Sequence, residues 1–464
     1  MDRLASEPTF ETSGMQTSQE METDKRRCLN CETALVGRFC HACGQDHRRG
    51  RLVTADSSSK VMSDERRGCS CSGVGCGCLL GFIFGALVVA GGAWGWWSFY
   101  KQAIRDPLMH LEVPEGPLTK EQTKDQIDQL GKVFLASSGN VGLVIGILKD
   151  GEQHVFGYGS TSRDRQQVPD GETVFELASC GKTFTATALA DMHLKGELNW
   201  DDPLFEFLPA EVDVPTYENR QITLMDLATH TSSLPTLTRT IEENIVAGME
   251  DPWRANSFEK LYRDLSEIEL TRPIAKEYDY SNLGMGLLGH ALERRAKVSY
   301  EELVIGRICE PLVMTSTKMT LDDSMKDRLA TPHARGEPTI VWEDRTLAGA
   351  GSFLSTANDM LKYVGAQFDE DNELYNTLQA TRQKRRVAGS PWESIGLAWH
   401  ITSENAVDIV WHTGGSGGSS SYVGFIEQSQ VGVVVLANSS SSLMNIGSDV
   451  SSIGDTILYL LHLH

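Results

Sequence analysis

The chain has 464 residues, 40% hydrophobic and 23% charged, which is enough apolar content for a real core and too much length for one ordinary domain. Its net charge of −21 excludes nucleic-acid binding driven by bulk charge. Residues 1–100 balance 11 Lys+Arg against 11 Asp+Glu, so the whole deficit falls on residues 101–464. Cysteine is skewed the other way: eight of the ten precede residue 79. Only Cys180 and Cys309 follow, too few for a disulfide framework.

Residues 1–24 are polar and acidic without hydrophobic period, a composition that predicts disorder. In residues 25–46, Cys28-x-x-Cys31 and Cys40-x-x-Cys43 stand eight residues apart. Each pair can curl round a metal with both thiolates inward, and two such knuckles complete a tetrahedral zinc site. The segment resembles a short zinc ribbon with a closed structural zinc site, and it implies a cytoplasmic protein partner. Residues 47–77 read as a charged, flexible linker ending in a second cluster, Cys69, Cys71, Cys76 and Cys78.

No charge occurs from Gly68 to Tyr100. Cys78–Trp97 is a 20-residue apolar stretch, and a helix of that length covers roughly the 30 Å of a bilayer core. Trp94, Trp96, Trp97 and Tyr100 cluster at one end, as aromatic rings do at a membrane interface. Residues 78–100 are therefore expected to form one uncleaved transmembrane helix. Six cations between Arg48 and Arg67 precede it and only Lys101 and Arg105 follow closely, which predicts a cytoplasmic amino terminus and an exported 101–464 segment.

After a tether over 101–117, residues 118–464 read as one α/β domain. Apolar runs at 142–149 and 153–158 flank Asp150-Gly151, a hairpin signal. Helical period follows over Ser179–Lys195, and 200–330 reads as helices and loops. Ile409–His412, Tyr422–Glu427 and Val431–Ala437 read as strands, and Ile446–His462 as a closing helix. Strands at both ends with helices between predict one sheet assembled from distant segments.

The chemistry starts at FELASCGKTFTA. Ser179 and Lys182 are three residues apart and share a helix face, with the hydroxyl at the positive helix end. A lysine there can take the proton of an otherwise poor nucleophile. Ser-x-x-Lys also begins at Ser57, Ser98 and Ser257, so context must select among the four. YDYSNLG places Tyr280 and Asn282 on one side of an extended loop, a phenol to manage a proton and an amide to hold a substrate carbonyl. VWHTGGSGG supplies His412, Thr413, Gly414 and Gly415 at a strand end.

Ser-x-x-Lys, Tyr-x-Asn and His-Thr-Gly in this order, 101 and 132 residues apart, resemble the serine β-lactamase and penicillin-binding protein superfamily. The phrases ELNWDDPLFEFLP, ITLMDLATHTSSLP, YDYSNLGMGLLG, AGAGSFLSTANDM and GLAWHI are similar to its class C-like branch of D-aminopeptidases, D-alanyl carboxypeptidases and esterases. The resemblance implies an antiparallel sheet flanked by helices, plus a helical subdomain, over about 118–464. It implies acylation at Ser179, with Lys182 and Tyr280 handling the proton. Asn282, His412, Thr413, Gly414 and Gly415 would bind substrate, and the Ser179 and Gly415 amides would form the oxyanion hole. Catalysis would need no cofactor.

Two departures stand out. Many members carry lysine where this chain has His412, which shifts the expectation from penicillin-like carboxylates toward peptides or esters. Ser232-Ser233 stands where the family has Ser-Gly. The function expected is a membrane-anchored hydrolase of D-amino-acid peptides, β-lactams or short esters. The alternative is a penicillin-binding-type receptor whose acylated domain signals to the ribbon.

Overall fold

The computed structural model describes residues 119–463 except 138, 405 and 441–447. The expected zinc ribbon at Cys28, Cys31, Cys40 and Cys43, the second cysteine cluster and the apolar span at 78–100 lie outside these residues. Among the described residues no helix is long and apolar enough to cross a membrane, and no cluster of His, Cys, Asp and Glu could hold a metal.

The centre of the domain is an eight-stranded antiparallel sheet. Its strands are β1 (Gly142–Lys149), β2 (Glu152–Gly159), β3 (Arg386–Val387), β4 (Glu393–Ile395), β5 (His400–Glu404), β6 (Val407–Gly415), β7 (Ser420–Ile426) and β8 (Val431–Ala437). Their spatial order is β2-β1-β8-β7-β6-β5-β4-β3. The first strand thus pairs with the last, Leu143 opposite Ala437, across nearly 300 residues of chain. Asp150 and Gly151, at φ 52° and 76°, make the tight β1–β2 turn, where two left-handed residues match the strand twist.

Alternation sorts the sheet's two faces. Leu143, Ile145, Ile147, Ile409, Trp411, Val433 and Val435 face the helices α1 (Lys120–Ala136) and α5 (Ser448–Leu463). Val144, Val410, Val423, Phe425, Val434 and Leu436 face the larger core, which contains α2 (Lys182–Leu194), α3 (Asn282–Ala296) and α4 (Ala357–Gly365). Residues 200–330 form helices and loops with only isolated bridges, as the sequence implies.

Helix α2 is buried from Lys182 to Met192. It tolerates three threonines because each hydroxyl donates to a carbonyl: Thr183 to Cys180, Thr185 to Gly349 and Thr187 to Thr183, at 2.8–2.9 Å. The expected helix over 179–195 needs one correction. Ala178–Gly181 is a 3-10 turn and the α-helix begins at Lys182. The tighter winding stacks residues three apart, so it favours the Ser179–Lys182 contact. A second correction concerns Asn282, which opens α3 rather than lying in a loop, with the extended residue Ser281 as its N-cap.

Phe184 anchors α2, edge-on to Phe353 and Tyr363 with ring centroids 5.5 and 5.0 Å away. Phe184→Ala should lower the unfolding free energy by about 3–5 kcal/mol, read by chemical denaturation. A change below about 1 kcal/mol would mean that α2 is not the packed centre of this core.

Candidate active site

Three separate segments meet at the amine of Lys182. Its Nζ donates to Ser179 Oγ at 2.9 Å, to Asn282 Oδ1 at 2.7 Å and to the Ala350 carbonyl at 2.5 Å. An ammonium has three protons, and all three are placed. The segment of Asn282 also brings Tyr280, whose ring centroid lies 5.0 Å from that nitrogen and whose phenol interacts with Ser179. Lys182 is fully buried, and burial pushes its pKa down to about 7. Burial likewise raises the Tyr280 phenol, which stays protonated near neutral pH. Ser179 itself is half-buried and lines an open cavity of about 620 Å³.

The sequence phrases around the motifs turn out to be the supports of this cluster. In ITLMDLATHTSSLP, His230 takes a left-handed backbone (φ 54°) and is buried. Its Nδ1 accepts from the Ser281 amide at 3.2 Å, and its ring lies 4.6 Å from that of Tyr280. Ser281 Oγ donates to the Pro235 carbonyl at 2.6 Å, and Thr236 Oγ1 donates to the Tyr280 carbonyl at 3.1 Å. The loop therefore fixes Tyr280 from both sides. Ser233 occupies a left-handed conformation at φ 63°, a region that glycine adopts with less strain, in keeping with the Ser-Gly that the family resemblance implies there. AGAGSFLSTANDM supplies the Ala350 carbonyl, and ELNWDDPLFEFLP braces the helix before His230 through Met225 N to Trp200 O at 2.6 Å.

Strand β6 brings the last motif alongside. His412, Thr413, Gly414 and Gly415 all line the cavity with Ser179, Tyr280 and Asn282. A Cβ on Gly414 would sit 2.2 Å from the Leu177 carbonyl and 2.9 Å from the Ser179 amide, so only glycine lets the strand end touch the nucleophile turn. His412 is 2% exposed. Its Nδ1 is 2.6 Å from the Thr413 carbonyl, which can only accept, so Nδ1 carries the proton. Burial above all, then His400 and Lys182, hold its pKa well below the usual histidine range. The ring is neutral, and its Nε2 is a bare acceptor with no partner among the described residues.

Three supporting residues were not singled out from the sequence. Glu176, three residues before Ser179, is buried and accepts from Ser416 Oγ at 2.9 Å, Ser419 Oγ at 2.8 Å and the Trp342 amide at 3.0 Å. It ties the Gly415 loop to the segment that carries Ser179. His230 and His400 were hidden because a histidine has no sequence mark that separates a positioning role from core filling. For Glu176 a signal existed: a carboxylate inside the apolar run VFEL has to find partners.

The chain belongs to the beta-lactamase family, whose pattern matches residues 127–450, and it is a serine hydrolase. It is 29% identical over 342 residues to the D-alanyl-D-alanine-carboxypeptidase/endopeptidase AmpH of Escherichia coli, covering 70% of this chain and 86% of that one. A beta-lactamase of Yersinia enterocolitica is 23% identical over 382 residues, 73% of this chain and 94% of its own. The solved β-lactamase/D-alanine carboxypeptidase of Yersinia pestis has the same fold, with a TM-score of 0.62 at 24% identity over 74% of this chain and 100% of that one.

Gly351, at φ 136°, packs where a Cβ would lie 2.2 Å from the Ala178 carbonyl and 2.9 Å from the Ser179 amide. Gly351→Ala should slow acylation at least tenfold while the chain stays folded, as read by stopped-flow kinetics beside circular dichroism. An unchanged acylation rate would show that the Ser179 turn is not held by this contact.

Proposed function

We propose that this chain hydrolyses amides or esters through an acyl-serine intermediate, with Ser179 as nucleophile. The observation that carries the reading is the 2.9 Å contact between Ser179 Oγ and a buried Lys182 amine whose pKa lies at about 7. When the amine loses one proton, that contact reverses. The remaining two protons stay on Asn282 and Ala350, and the Ser179 hydroxyl donates to the freed lone pair. Lys182 then takes the serine proton as Oγ attacks the carbonyl. The amides of Ser179 and Gly415 stabilise the oxyanion, a contribution of about 10²–10³ in rate per donor in other hydrolases. Tyr280, a neutral phenol, hands its proton to the leaving group and regains one from the Lys182 ammonium. Water releases the acyl group by the same route in reverse.

The relatives support β-lactams and D-alanyl peptides as substrate classes. His412 narrows them. A neutral ring with an acceptor at Nε2 suits a substrate N–H or O–H and gives a carboxylate no cation. Neutral amides and esters are therefore the preferred substrates, with Asn282 and Thr413 completing their binding. We also propose that residues 78–100 anchor the enzyme with residues 101–464 outside the cytoplasm. Cys28, Cys31, Cys40 and Cys43 would hold a structural zinc for a cytoplasmic partner.

A fluorescent phosphonate should label the chain once, on Ser179, with turnover of a neutral ester lost in Ser179→Ala. Labelling that survives Ser179→Ala would overturn the nucleophile. His412→Lys should raise turnover of a carboxylated β-lactam relative to a neutral ester by about tenfold, and His412→Ala should not. An unchanged ratio in His412→Lys would remove His412 as the selector.

A further inference from the structure

We infer that one side of the active-site cavity is a binding wall for an uncharged apolar arm of the substrate, so that the enzyme prefers hydrophobic acyl esters or amides over small or anionic ones. This rests on the acyl-serine reading above and adds the substrate class.

The wall consists of Leu237, Ile245, Trp253, Val341 and Trp342. All five remain partly open to solvent, and Ile245 is 40% exposed. Two segments distant in sequence contribute them, and both are fixed in place. The Trp342 amide donates to Glu176, and its indole Nε1 donates to the Glu250 carbonyl at 2.9 Å. The Trp253 amide donates to Asp251 Oδ1 at 3.0 Å, and the Glu343 amide donates to Asp251 Oδ2 at 2.9 Å. The two indoles stand 6.4 Å apart between centroids. An apolar surface already rigid before binding loses little entropy when a chain is laid on it.

Its place ties it to the reaction. A Cβ on Gly417 would lie 2.6 Å from the Trp342 indole nitrogen, so Trp342 rests on the loop that continues from Gly415. Charge excludes the alternative occupant. Among the described residues lining the cavity there is no lysine or arginine, and the Lys182 amine is committed to Ser179, Asn282 and Ala350. The ionisable carboxyls that do line it are Glu176 and Asp344, the latter pushed up to about 7 by burial. A substrate carboxylate on this wall would meet acids and indoles without a counter-ion. A cavity of about 620 Å³ has room for a medium-length chain or an aromatic ring.

The test uses the full chain with two families of p-nitrophenyl and alkyl esters: acetyl to octanoyl acyl chains on one leaving group, and methyl to hexyl alcohols on one acyl group. One series should gain about two- to fourfold in kcat/KM per methylene, at least tenfold overall, because each buried methylene adds transfer energy of that size. A terminal carboxylate on the favoured arm should cancel the gain. Trp253→Ala and the half-exposed Ile245→Asn should each cut the long-to-short ratio at least fivefold, and Ile245→Asn should leave the fold intact because the side chain is at the surface. Flat response in both series, or faster turnover of the carboxylated esters, would overturn the inference. Ser179 labelling by phosphonate separates that failure from failure of the acyl-serine reading, since flat response with Ser179 labelled sinks only the wall.

Discussion

Everything in the site follows from burying one amine. Among the described residues Lys182 has no carboxylate near enough to pair with; its three protons go to a hydroxyl, an amide oxygen and a backbone carbonyl. Neutral acceptors satisfy its hydrogen bonding without repaying the desolvation of a full charge, so the pKa falls to about 7. A paired carboxylate would have stabilised the ammonium and removed the base. The three acceptors come from residues 179, 282 and 350, which is why helix α2, the start of α3 and the Ala350 turn must all converge. The fold is the device that holds these neutral acceptors round one nitrogen.

The neighbours obey the same constraint. Additional fixed cations around Lys182 would repel its ammonium, and two buried histidines nearby are consistent with that. His230 accepts a backbone proton, His412 donates to a carbonyl, and both have pKa values held well below the usual range chiefly by burial. The cavity thus combines a poised base with a weakly charged lining. Substrate selection then falls to shape, apolar contact and single hydrogen bonds rather than ion pairing.

Much of this was legible in the chain. The apolar runs of β1 and β8, the Asp150-Gly151 turn and the position of α5 could be read from composition, period and turn chemistry, since each is a local signal. Ser179, Lys182 and Tyr280 were legible through order and spacing, because no single motif distinguishes Ser179 from Ser57, Ser98 or Ser257. What was not legible is long-range. Nothing local says that Asn282 spends its oxygen on Lys182, that the Ala350 carbonyl is the third acceptor, or that Glu176 ties two loops together. Those partnerships exist only once 100 to 240 residues of intervening chain have folded. His412 shows the limit from the other side: its identity suggested a partial charge, and the Thr413 carbonyl together with burial made it a neutral acceptor.

The central claim, that a buried Lys182 amine with a pKa near 7 activates Ser179, is tested most directly by the pH dependence of acylation. A neutral ester carries no titrating group, so the profile reports the enzyme. The single-turnover acylation rate should fall about tenfold per pH unit below about 7 and level off above it, because the ammonium cannot accept the serine proton. Lys182→Arg, whose guanidinium stays charged, should abolish the plateau. A rate that is flat from pH 5 to pH 9, or an inflection that persists in Lys182→Arg, would contradict the account.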